Sequence, residues 1–113
     1  MDILNLTPHP VNILDEDNNV LLTIEPEQDV EPIRLEQSDR IVDEVLVAGI
    51  CVPVTETVFG EATNLPDEQT GTLLIVSSLV RTALLDRTDL VTPNQVVRND
   101  EGHIVGCRSF ARN

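Results

Sequence analysis

The run Thr72-Leu73-Leu74-Ile75-Val76, closed by Ser77 and Ser78, decides how this chain is read. It is almost continuously apolar and too short for a helix, the pattern of a central strand buried on both faces. Ser77 or Ser78 can then cap a short helix over 78–86, whose Leu79, Val80, Ala83 and Leu84 fall on one side at three-to-four spacing. Asp86-Arg87-Thr88-Asp89-Leu90 leaves that helix, and Pro93 is expected to close the segment.

Outward from this centre, the spacing predicts hairpins. Gln95–Arg98 and His103–Arg108 flank Asn99-Asp100-Glu101-Gly102, a turn with glycine where a positive φ is needed. Val45-Leu46-Val47 and Ile50–Phe59 flank Ala48-Gly49, and the second of these runs puts Val52, Val54 and Val58 on one face. Gly60 to Thr70 reads as a turn-rich connection. Val11–Leu14 and Val20–Ile24 flank an acidic turn, Asp15 to Asn19. An opening strand over 3–14 is interrupted where Pro8 and Pro10 bracket His9. From Glu25 to Asp43, charge and proline leave only Ile33-Arg34-Leu35 as a short strand candidate. The expected fold class is α+β, a mostly antiparallel sheet built from hairpins with one or two short helices, in one domain over 1–113.

Charge bounds the function. Twenty acidic residues face seven arginines and no lysine. Residues 1–68 hold sixteen of the carboxylates with Arg34 and Arg40, while 69–113 hold four with five arginines. No basic stripe exists to release counterions, so binding to a nucleic-acid backbone is disfavoured. Three readings of the acidity compete: a solvated surface that resists aggregation, adaptation to a salty cytosol, and a carboxylate face that meets a basic partner protein. No run approaches the ~18 apolar residues of a membrane span, and the N-terminus lacks the basic start of a secretory signal, so a cytoplasmic chain is expected. Cys51 and Cys107 are too few for a disulfide framework.

Catalytic chemistry finds little purchase. Asp15-x-Asp17-x-Asn19 copies the start of a calcium loop, then places Val20 where glycine is needed and Pro26 where the bidentate glutamate belongs. The two cysteines and two histidines lack zinc spacing, and no metal or cofactor is expected. His103 and Cys107 share a strand face more than ~10 Å apart. His9 is the remaining candidate base for a small hydrolase, against the plainer role of a polar side chain in a proline-bracketed turn.

The arginines are more informative. Arg81, Arg87, Arg98 and Arg108 follow or adjoin Ser77, Ser78, Thr82, Thr88 and Thr92. Guanidinium forks and hydroxyls suit phosphate or carboxylate, which composes a ligand-binding set of His9, Ser77, Ser78, Arg81, Arg87, Arg98 and Arg108. The competing reading pairs Arg81, Arg87 and Arg98 with Asp86, Asp89 and Asp100, or with the acidic N-terminal half. With Phe59 and Phe110 the only aromatics, base stacking rests on phenylalanine or arginine planes.

Asn5-Leu6-Thr7-Pro8-His9-Pro10-Val11, Val58-Phe59-Gly60-Glu61, Leu65-Pro66, Gly71 to Ser77, Asp86-Arg87-x-Asp89-Leu90 and the Val97 to Cys107 pattern run in an order that resembles a family. Its members are small uncharacterised proteins of bacteria, archaea, phages and prophages that open with an NLTPHPV-like motif. Leu74 stands where the family pattern suggests tyrosine. The resemblance carries no established activity. With the arginine set it implies a non-enzymatic binding protein, a viral accessory that sequesters a small anionic, nucleotide-type ligand. The lysine-free acidity fits a haloarchaeal member. The alternative is an acidic protein–protein inhibitor or assembly component whose acidic N-terminal half contacts a basic partner surface; separately, a homo-oligomer is among the expected partners.

Overall fold

A computed structural model describes all 113 residues. Its elements run β1 (Asp2–Asn5), β2 (Val11–Leu14), β3 (Val20–Ile24), β4 (Arg34–Val47), β5 (Ile50–Thr63), β6 (Thr72–Ile75), α1 (Ser78–Ala83), β7 (Leu90–Arg98) and β8 (Ile104–Arg112). Six strands form one sheet in the order β1-β6-β7-β8-β2-β3, and β4 and β5 pair only with each other. No helix is long and apolar enough to cross a membrane.

The decisive run is a strand, and it is buried on both faces as its composition demands. Ile75 faces Val11, Val91 and Cys107, while Leu74 and Val76 face Val80 and Leu90 on the other side. Its partners are not hairpin neighbours, however. β6 lies parallel to β1 and to β7, and β2 is parallel to β8, so the sheet is mixed rather than built only from hairpins. Parallel neighbours need a crossover, and the segment that carries α1 supplies it between β6 and β7. The fold is mostly β, with one six-residue helix.

That helix is shorter than the expected 78–86. Ser77 is its N-cap and accepts from Val80 N, but the backbone leaves helical angles at Leu84. Thr82 donates its hydroxyl to Ser78 O and Leu79 O, a local bond that competes with helix propagation. Pro93 does not close a segment either. It lies within β7 opposite Phe110, beyond Val91, where β6 has already ended. A missing N–H costs nothing on that open edge.

The turns follow their residues. Asp15 Oδ1 accepts from Asp17 N and Asn19 N, with Asn18 at φ 66°, so the calcium-like triplet is a self-bonded hairpin turn. Gly106 brings β8 against β2 so closely that a Cβ there would lie 2.7 Å from Leu14 Cγ and 2.8 Å from Asn12 O.

The largest departure is β4–β5. The expected hairpin closes through Ala48 and Gly49 at positive φ, but where only a short strand at 33–35 and a turn-rich stretch from Gly60 were expected, both strands run to 14 residues. Charged side chains on both sides of a ribbon hide its periodicity, because neither face is buried. The ribbon extends from the body as an arm, and the molecule spans 56 × 38 × 24 Å. Ile33 and Leu65 seat its base against the Leu74 cluster, and Asn64 Nδ2 donates to Pro32 O across it at 3.0 Å.

Candidate functional site

The NLTPHP stretch is organised by Asn5, which is fully buried. Its carboxamide nitrogen donates to His9 O at 2.8 Å and to Ile24 O at 3.0 Å. Its oxygen accepts from Thr7 N at 3.0 Å and Thr7 Oγ1 at 2.6 Å. All four hydrogen-bonding positions of the amide are used. The motif is therefore a backbone clamp. His9 takes part through its carbonyl, while its side chain is exposed and hydrogen-bonded to nothing.

Beside this loop lies a cavity of about 290 Å³, formed by Leu6, Thr7 and Pro8, the Pro26 to Ile33 connection, Ser77 and Val80. Glu27 is its one charged lining residue, so the cavity offers an apolar wall and no cation to an anion.

The predicted arginines do not converge there. Arg87 Nε and one terminal nitrogen hold the Asp89 carboxylate, each at 2.8 Å, and the same terminal nitrogen also donates to Pro66 O at 2.9 Å. The Arg87 hydrogen bonds hold the nearly buried Asp89 carboxyl below its ordinary range, and Asp89 in turn pushes Arg87 up. Arg98 donates to Gly102 O across the β7–β8 turn. Arg108 reaches Asp15 O and the Asn18 carboxamide at the β2–β3 turn. Each closes a turn or a loop. The aspartate pairing read from the sequence holds for Arg87 alone, since Arg81 and Arg98 enter no ion pair. Arg81 differs from the rest: its Nε is buried without an acceptor, although Asn113 donates to its carbonyl. Ser77 is spent on the helix cap, and Ser78 is exposed at the first turn. No cluster of three or more His, Cys, Asp or Glu side chains gathers to hold a metal ion.

The feature that the sequence left in a charge-rich blur is the arm surface. Partners in register share a face, and alternation along β5 sorts the two sides. One side carries Val47 with Ile50, Val45 with Val52, Asp43 with Val54, the Arg40–Glu56 ion pair, Ser38 with Val58, and Glu36 against Gly60 at the base. The other carries Leu46, Cys51, Glu44, Pro53, Ile41, Asp39 and Phe59. The first is an aliphatic face, and nothing in the chain covers it: Ile50 is 65% and Val47 57% exposed. The free Cys51 thiol donates to Glu44 at 3.1 Å on the opposite face, a bond that raises its pKa. No family model, curated protein or solved structure matches the chain.

Proposed function

We propose that this chain is a non-enzymatic assembly protein whose working surface is the β4–β5 arm. One observation carries the reading: a 28-residue ribbon, half the length of a small domain, leaves its aliphatic face in water. A two-stranded hairpin standing alone is at best marginally stable, and contiguous exposed apolar surface marks an interaction site. The carboxylates of residues 1–68, all exposed but that of Asp15, keep the remaining surface soluble. Amide hydrogen exchange across 34–63 tests it, on the concentrated protein and on the protein in an extract of its native cells. Assembly slows exchange along the arm in at least one of these. Exchange as fast as a free hairpin in both overturns the reading.

A second reading, capture of a small anionic ligand of nucleotide type, is supported by Arg81. In a chain of twenty carboxylates its guanidinium has no ion-pair partner and its Nε no acceptor. The resemblance to phage and prophage proteins fits such an accessory role. Isothermal titration against cyclic nucleotides and ADP-ribose derivatives tests it, with Arg81→Gln as the control. Binding heat that Arg81→Gln removes supports it. Heat with none of them, or heat unchanged in the variant, overturns it.

A further inference from the structure

We propose that the occupant of the aliphatic arm face is the same face of a second copy of this chain, packed about a two-fold axis. The inference rests on the arm being the working surface and names what covers it.

The area argues for a second copy. The chain exposes 8072 Å². A compact monomer of 12.5 kDa exposes ~6,200 Å² by the scaling of surface with mass, so ~1,900 Å² is in excess. The radius of gyration, 17.9 Å, is likewise well above the ~13 Å of a compact chain this long. The arm's two faces share this excess, and half of it, ~950 Å², is about the ~800 Å² per partner that a stable complex buries. The chain alone buries 13 of its 113 residues, as expected if part of its core forms only between copies.

Charge chooses the face. At a net charge of −13, two copies repel over most of their surface. The aliphatic face is the exception along the outer arm, because Glu56 pairs with Arg40 and Asp43 alone interrupts the run from Val47 and Ile50 to Val54, with Glu36 following only toward the base, against Gly60. The opposite side carries Asp39 and Glu44 with no cation. A basic partner protein would find few carboxylates on the aliphatic face, whereas an identical face offers it aliphatic side chains in an isologous contact.

Backbone geometry chooses face packing over strand addition. Pro53 interrupts the donor row of β5, and an extra residue at Val42 in β4 and another at Gly60-Glu61 in β5, opposite Glu36, break the register of the ribbon. These are the devices that blunt sheet edges against pairing, and they leave the aliphatic face unprotected.

The test is sedimentation velocity with interference optics, since the chain has no Trp or Tyr. Wild type, the double variant Val47→Glu/Ile50→Glu and the opposite-face variant Leu46→Glu are compared at ~1–100 µM, which brackets a micromolar dissociation constant. All three positions are exposed in the single chain, so a monomer tolerates the changes, and far-UV circular dichroism verifies the fold. Wild type and Leu46→Glu should sediment at twice 12.5 kDa and the double variant at 12.5 kDa. Monomeric wild type throughout the range overturns the proposal, as does a dimer that survives the double substitution or one that Leu46→Glu breaks equally well. A monomer whose arm is protected from exchange only in cell extract removes the second copy and leaves the assembly reading standing. An arm unprotected everywhere removes both.

Discussion

The side-chain amide of Asn5 donates to the carbonyl of His9 at 2.8 Å from a site with no solvent exposure. The loop between β1 and β2 thus takes its shape from a side chain four residues away, and the histidine contributes backbone. Asn5→Asp keeps the acceptor for Thr7 but sets a carboxylate against two carbonyl oxygens. It should cost about 2–4 kcal/mol, the range for buried groups left unsatisfied. His9→Ala should stay within about 0.5 kcal/mol, as surface changes away from such features do. Urea unfolding followed by far-UV circular dichroism measures both, and equal losses would contradict the clamp.

Arg87 and Asp89 form a two-pronged pair with the carboxylate nearly buried. Arg87→Met leaves that charge uncompensated and should destabilise by about 2–4 kcal/mol, near the cost of breaking a buried pair. The pH dependence follows from the sign of the shift. Asp89 is held lower in the folded state than in the unfolded chain, so its contribution is complete above the ordinary carboxylate pKa of ~3.9 and is lost as pH falls through the lower folded value. Stability curves of wild type and Arg87→Met should therefore converge in strong acid. Parallel curves down to the acid limit would show that the pair is not the source.

Gly106, inside β8, is required by contact rather than by backbone conformation. Alanine there meets the Leu14 side chain and the Asn12 carbonyl, and must push β2 away from β8. Overpacking of this kind costs about 1–3 kcal/mol, visible as a lowered melting temperature. Gly49, at the arm tip, has a φ of 79°, and a Cβ added there would meet nothing within 4 Å. Gly49→Asn, which tolerates that conformation, should leave the body's melting temperature unchanged.

All sixteen acidic side chains of residues 1–68 are exposed except that of Asp15, which is half-buried, and two arginines accompany them. Their mutual repulsion opposes the compact state at low ionic strength. The melting temperature should climb as chloride is added and level off as the Debye length falls from ~30 Å at 0.01 M to ~3 Å at 1 M. A flat profile from low to molar chloride would mean that these carboxylates are already balanced by a bound partner.

Wherever a residue pattern reports on local geometry or burial, the sequence was sufficient. The Leu73 to Val76 run had to be buried on both faces, Ser77 could cap what followed, and the turns at Asn18, Gly49 and Gly102 needed residues that accept a positive φ. These are properties of a few consecutive residues. What the sequence did not determine is which strands lie side by side. Parallel pairing of β6 with β1 and β7 joins residues 70 and 16 positions apart, and an apolar strand carries no mark of its neighbour's direction. Arg87 could be read as a ligand group or as an ion-pair partner, and only the fold set it on Asp89 and Pro66. The arm was least legible of all. Burial is what makes a strand's period visible, and Arg34–Val47 buries neither face within its own chain, so its length and its uncovered valines emerge only from the pairing with Ile50–Thr63.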